Sequence, residues 1–375
     1  MSKSSVQTYA ESLKKSGGIL PMAQFTTLSR FVRRVLLSTD SPVLAQIVVT
    51  RRCNLSCAYC NEYDKVSETV PLAIMKERVA ALAKLKTVFV TCTGGEPLLH
   101  PHLAEIIKEI RHYGMVATMI TNGYHLTQQR IGQLNEAGLQ QLQISIDNII
   151  PDEVSNKSLK VLDRKLKLLA DHAKFKININ SVLGLSDART PDAIAVAERA
   201  HYYGFSHSVA VLHNGNGILE PLSEIQYAAY KAMGRMSGSL MHYGNFFLFQ
   251  KNLIEGRPND WKCRAGARYL YICEDGLVHW CSQQRGYPGI PLAEYTIEDI
   301  RREYKTQKGC SRLCTLPCVH QASSFDKWRG KQVFPDPFSP HAPARPRDRS
   351  NEQLEATAAS DSSTGFRRAR RSWPP

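Results

Sequence analysis

The chain has 375 residues, is 43% hydrophobic, and carries ten cysteines and a formal net charge of +14. That length accommodates one large α/β domain and a smaller module, and no apolar run is long enough to span a membrane. Lys14, Lys15, Arg30, Arg33 and Arg34 break the first forty residues, against a secretion leader, so thiolates bound to metal in a reducing, cytoplasmic setting are expected rather than disulfides.

Residues 1–42 read as an N-terminal helical extension, in which Phe25, Leu28, Phe31, Val32, Val35 and Leu36 share one face that packs on the main domain. Strand-like runs then follow at Val43–Val49, Val88–Cys92, Ala117–Ile120, Leu142–Ile146, Lys176–Val182 and Ser208–Leu212. Amphipathic helical runs separate them at Leu72–Leu85, Leu103–Tyr113, Thr127–Ala137, Ser158–Lys174 and Pro191–Tyr203. Short apolar strands alternating with helices predict a parallel sheet of βα units. Six units fall short of a closed eightfold barrel, so residues 43–222 are expected to form a partial, TIM-like barrel of α/β class. Residues 223–260 read as a helical connector. Residues 261–335 hold six of the ten cysteines and predict a small cysteine-rich module held by metal. Residues 336–375 are rich in Pro and Arg and read as disordered. Seven arginines against four acids follow His341, so the tail carries +3 and the body +11. A basic body suits an anionic partner, but no usual nucleic-acid motif is present and a solvated basic face is favoured.

Cys53, Cys57 and Cys60 stand in a C-x3-C-x2-C loop directly after the first strand. In such sheets chemistry gathers at the carboxyl ends of the strands. A cubane cluster is normally held by four thiolates, so three leave one iron open to bind a ligand. Half of a zinc site, or buried thiols without a metal, are the alternatives. The second strand ends in Gly94-Gly95-Glu96-Pro97. Two glycines would let a ligand approach the backbone, and Glu96 offers a carboxylate; an ordinary βα turn is the plain alternative. Later strands end in Thr121-Asn122-Gly123 and Ser145-Ile146-Asp147, or carry Asn178 and Asn180.

With Tyr59 before the last cysteine and Gly94-Gly95-Glu96-Pro97 downstream, residues 43–213 resemble the radical S-adenosylmethionine (AdoMet) superfamily. The resemblance implies a partial (β/α)6 barrel with a [4Fe–4S] cluster on Cys53, Cys57 and Cys60, and AdoMet on the open iron. It implies that Gly94, Gly95 and Glu96 meet the AdoMet amine, that Ser145 and Asn180 hold ribose or carboxylate, and that Tyr59 and the backbone from Val211 to His213 lie near adenine. The activity implied is reductive cleavage of AdoMet to a radical that abstracts hydrogen from a peptide, protein or small metabolite. An external flavodoxin- or ferredoxin-like electron donor is implied as well.

The segment Cys263-x2-Gly266-x5-Ile272-x3-Gly276-x4-Cys281 resembles the opening of SPASM or twitch auxiliary-cluster domains. That resemblance implies one auxiliary [4Fe–4S] cluster on Cys263, Cys281 and Cys318, with Cys310 or Cys314 completing the set; zinc is the alternative. Cys273 reads as a strand residue and Cys92 as core. His213, Asn214, Asn216, Arg264 and Arg268 are candidate substrate contacts. Two other functions stay open: a cluster-bearing redox or binding protein without radical chemistry, and an RNA-modifying radical enzyme.

Overall fold

The computed structural model describes residues 32–60, 62–184, 186–212, 221–236 and 244–329. Most of the N-terminal extension, the tail, and His213, Asn214 and Asn216 lie outside the described residues. The six sequence-predicted strands form as β1 (Leu44–Thr50), β2 (Phe89–Gly94), β3 (Val116–Thr121), β4 (Gln141–Ser145), β5 (Lys176–Leu183) and β6 (Ser206–Val211). Helices α1 (Leu72–Lys84), α2 (Leu103–His112), α3 (Gln128–Ala137), α4 (Leu159–His172) and α5 (Thr190–Tyr202) connect them. All five pairings among β1 to β6 are parallel and sequential, the pattern of a partial (β/α)6 barrel.

Strand side chains alternate between faces, and the two faces differ in chemistry. Ala45, Ile47, Val90, Cys92, Ala117, Met119, Leu142, Ile144, Ile177 and Ile179 pack with Met75, Val79, Leu82 and Ile106 of the helices into one core. Cys92 is fully buried there, and burial pushes its thiol up to about 12. The intervening positions mix apolar residues, such as Val48 and Phe89, with polar ones. Thr91 and Thr118 share a hydroxyl bond of 2.6 Å, and Asn178 donates to Ser208 at 2.8 Å, which donates to Asn180 at 2.9 Å. The concave face therefore offers hydroxyl and amide groups among its apolar positions.

After α6 (Glu224–Met236) and α7 (Lys251–Ile254), strand β7 (Tyr269–Ile272) pairs parallel with β1, in the register Leu44↔Tyr269 to Ile47↔Ile272. Strands β8 (Leu277–Cys281) and β9 (Gln284–Pro291) follow antiparallel, giving one sheet ordered β6-β5-β4-β3-β2-β1-β7-β8-β9. The hairpin of the cysteine-rich segment thus extends the barrel sheet at its first strand. The Asp275-Gly276 turn works because Gly276 takes φ +83°, and Arg78 of α1 donates to the carbonyls of Cys273 and Glu274 at 3.2 and 2.7 Å. Two further helices, α8 (Ile297–Lys305) and α9 (Pro317–Ser324), close the segment. A capping box of Thr296 and Asp299 starts α8.

At the amino ends of β1 and β7, Arg268 is fully buried and pairs with Asp326 at 2.9 Å. Its guanidinium also donates to the carbonyls of Ser41 and Val35, at 2.6 and 2.5 Å. Arg268 is a structural clamp at the end of the barrel opposite the cysteine loop, and not a substrate contact. Arg264 is likewise turned away, stacked 3.7 Å from the Tyr304 ring and bonded to the Tyr304 carbonyl.

Candidate active site

The cysteine loop leaves β1 at the carboxyl end of the sheet and is held by its own backbone. Cys53 N donates to Asp64 O at 3.1 Å, Cys60 N to Cys57 O at 3.1 Å, and Ala58 N to Val154 O at 3.0 Å. Lys65 Nζ donates to the carbonyls of Leu55 and Cys53 at 2.8 and 3.1 Å. Cys57 is buried, and Cys53 and Cys60 are half-buried. Burial pushes the thiols of Cys53 and Cys60 up, and each also feels the charge of another loop cysteine. Two thiols whose ionisation burial opposes, beside a buried third cysteine, suit a bound cation. Around one zinc, thiolate sulfurs would stand about 3.8 Å apart. No three of the described cysteines have their sulfurs within 4.8 Å of one another.

The Gly-Gly-Glu-Pro turn is spliced onto this loop. A side chain on Gly94 (φ +132°) would meet Thr50 O at 2.1 Å, and one on Gly95 would meet Arg51 O at 2.3 Å and Arg52 O at 2.4 Å. Gly95 N donates to Thr50 O at 2.8 Å and Glu96 N to Arg52 O at 3.0 Å. The stem of the cysteine loop runs against both glycines, because β1 and β2 approach too closely there for any Cβ. Glu96 is fully buried. One carboxylate oxygen accepts Thr121 Oγ1 at 2.6 Å and Leu98 N at 2.9 Å, and the other accepts Asn122 N at 2.7 Å. Burial pushes its pKa up against these bonds, and no cation among the described residues lies within 4 Å. Asn122 also donates to Asn54 Oδ1 at 2.9 Å, inside the cysteine loop.

Ser145 and Asn180 face each other as Cα partners of β4 and β5, both half-buried. Tyr59 is caught in a polar triad that sequence reading missed. Its hydroxyl donates to Asp147 Oδ2 at 2.5 Å and accepts from Lys157, while Lys157 pairs with Asp147 at 3.2 Å. Burial, then the Asp147 charge, pushes the Tyr59 phenol up. The other oxygen, Asp147 Oδ1, is buried without a hydrogen-bond partner among the described residues. Ser155 Oγ lies 3.7 Å from Cys57 Sγ. Lys157 and Ser155 belong to no motif; only their place in the loop after β4 could have marked them. A cavity of about 590 Å³ beside the loop is lined by Arg52, Cys53, Asn54, Lys65 and His125, among others.

The later cysteines divide into groups. Burial, then the charges of Cys263, Cys281 and Cys310, raises the Cys314 thiol well above its usual range. Cys281 in turn feels Cys263 and Cys310. Cys318 instead lies beside Tyr269, and its thiol is pushed up to about 11 by burial. Tyr269 also donates to Gln46 Oε1 at 2.7 Å, on the concave face of β1. Cys273 is grouped with Asp275 and His279, their ligand atoms within 4.8 Å of one another. Gly286 N donates to His279 Nδ1 at 2.8 Å, which leaves the proton of the neutral ring on Nε2, the atom 3.9 Å from Asp275. That trio presents a hydrogen-bond donor where a metal would need a lone pair.

The Radical SAM superfamily model matches residues 47–197. The chain is 31% identical over 318 residues to the PqqA peptide cyclase of Bradyrhizobium diazoefficiens, which covers 79% of this chain and 77% of that protein. It is 32% identical over 154 residues to the GTP 3',8-cyclase of Aquifex aeolicus, covering 37% of this chain and less than half (47%) of that enzyme. Streptococcus suis SuiB bound to precursor peptide SuiA superposes with a TM-score of 0.50 at 16% identity, over 77% of this chain and 74% of that one, a likeness of fold. The chain belongs to the radical SAM superfamily and carries a SPASM-like C-terminal extension. It is an enzyme of the [4Fe–4S]- and AdoMet-dependent kind that this family comprises. No helix among the described residues is long and apolar enough to cross a membrane.

Proposed function

We propose that Cys53, Cys57 and Cys60 hold the [4Fe–4S] cluster, and that the mouth formed by β1 to β5 holds AdoMet. With both bound, one electron from the cluster cleaves a carbon–sulfur bond of AdoMet, giving methionine and a 5'-deoxyadenosyl radical that takes hydrogen from the substrate. The observation that carries this reading is the splice between Glu96 and Arg52. It sets a fully buried carboxylate, with no cation within 4 Å among the described residues, in the same structural unit as the three cysteines of the loop.

Glu96 would receive the ammonium of AdoMet, a charge that offsets its desolvation, with Gly94 and Gly95 offering backbone beside it. Ser145 and Asn180 would hold the ribose or the carboxylate. Tyr59, fixed by Asp147 and Lys157, would present its ring as one wall of the adenine site. The chain's part is to orient AdoMet against its substrate and to exclude water.

The auxiliary [4Fe–4S] cluster would lie on Cys263, Cys281, Cys310 and Cys314, with Cys318 outside the set, turned to Tyr269. Peptide is the substrate class best supported. A peptide cyclase is similar over most of both chains, and the concave face offers amide and hydroxyl groups that can bond a peptide backbone. An external flavodoxin- or ferredoxin-like donor in a cytoplasmic setting completes the reading. Adding AdoMet to the reduced protein should change the EPR spectrum of the Cys53–Cys57–Cys60 cluster; an unchanged spectrum, with that cluster intact, would refute AdoMet ligation.

A further inference from the structure

Lys308 is a buried cation that the proposed reaction leaves without a role. Its side chain is 1% exposed, and that of its partner Glu303 is 6% exposed, with Nζ to Oε2 at 3.2 Å. The ammonium also donates to Glu303 O at 2.6 Å and to Thr306 O at 3.2 Å, so all its protons are engaged and its position is fixed. It sits 5.1 Å from the centre of the Trp280 ring, and Trp280 Nε1 donates to the same Glu303 oxygen at 2.7 Å. Trp280 precedes Cys281, and Lys308 lies two residues before Cys310. The field of Lys308 reaches the thiols of both Cys263 and Cys310.

Burying an ammonium is costly, and one partner carboxylate would satisfy a purely structural site anywhere on α8. The Lys308 charge instead reaches two of the four thiols assigned to the auxiliary cluster, Cys263 and Cys310, and Glu303 holds the indole of the residue before a third, Cys281. The potential of an iron–sulfur cluster depends on the charge and hydrogen bonding around it. We propose that Lys308 and Glu303 form a charge device that sets the reduction potential of the auxiliary cluster, Lys308 favouring the reduced form and Glu303 opposing it. Both are positioning residues, acting on the cluster through its field. The inference rests on the auxiliary-cluster reading above.

The test uses full-length protein carrying Cys53, Cys57 and Cys60 all replaced by Ala, so that the auxiliary cluster is the only one observed. Iron and sulfide are counted first, and the cluster is then titrated potentiometrically by EPR. Lys308→Met should lower the midpoint potential, Glu303→Gln should raise it, and the double variant should fall between the two. A pair that acts on packing alone, and not through its field, has no reason to shift the potential with the sign of the charge removed. If Lys308→Met fails to fold, Glu303→Gln and the double variant still give the direction. A cluster present with the potential unmoved, or moved the same way by both single changes, overturns the proposal. Absence of iron from the triple-Ala parent overturns the auxiliary-cluster reading and this proposal with it.

Discussion

Glu96 N donates to Arg52 O at 3.0 Å, and through that bond the turn after β2 is fastened to the residue just before Cys53. The cysteine loop and the carboxylate turn are one unit, and a change in either should be felt by the other. Gly95→Ala would drive a methyl group to 2.3 Å from Arg51 O. Backbone on both sides cannot move aside as a side chain could, so a loss of about 3 kcal/mol or more is expected. Urea unfolding of the apoprotein and the iron content after reconstitution check this, and both should fall.

Glu96→Gln keeps the shape and removes the charge. The cluster should still assemble, while AdoMet binding weakens by roughly 10- to 100-fold, the worth of a charge-assisted hydrogen bond of about 1.5–3 kcal/mol. Equilibrium binding of AdoMet to the reconstituted variant measures it. Unchanged affinity would remove Glu96 from the ligand site.

Cys314 and Cys318 provide a direct contrast. Cys314→Ala should cost the auxiliary cluster, whereas Cys318→Ala should leave its iron in place and disturb only the contact with Tyr269. Iron counts on the two variants, made in the background lacking Cys53, Cys57 and Cys60, distinguish them.

The buried pair of Arg268 and Asp326 should behave as an all-or-none clamp. Asp326→Ala leaves a buried guanidinium unpaired and should destabilise by about 3–5 kcal/mol. Replacing both residues with apolar ones of similar volume should recover most of that loss. Denaturant titration of the single and double variants tests the point, and AdoMet affinity should be unaffected at the far end of the barrel.

His320 stacks on Phe249 with ring centres 4.1 Å apart, and burial pushes its pKa down to about 4. The folded protein therefore holds this ring neutral while the unfolded chain protonates it near pH 6.5. Its contribution is full above pH 6.5 and is lost as the pH falls from there towards 4, on the order of 3 kcal/mol at the limit. His320→Phe should flatten that part of the stability profile, seen by melting parent and variant at pH 7 and pH 5.

Much of the barrel was legible because its signals are local. Alternating apolar residues such as Ala45, Ile47 and Val49 mark a strand within seven positions, and Cys53, Cys57 and Cys60 mark their loop by spacing alone. What escaped is non-local. Nothing near Lys157 announces that its ammonium will meet Tyr59 98 positions away, and the pairing of β7 with β1 joins Leu44 to Tyr269. Arg268 invites reading as a surface cation, because a buried arginine can be recognised only through its partner, here Asp326. At Gly94 and Gly95 the residue type marks a close approach, and the carbonyls of Thr50, Arg51 and Arg52, which crowd the missing Cβ, come from a segment more than forty positions away.

The central claim is that the loop of Cys53, Cys57 and Cys60 cleaves AdoMet. Anaerobically reconstituted protein, given AdoMet and dithionite, should release 5'-deoxyadenosine, and Cys57→Ala should abolish it. Protein with its cluster intact that releases none, or a Cys57→Ala variant that releases as much as the parent, would contradict the account.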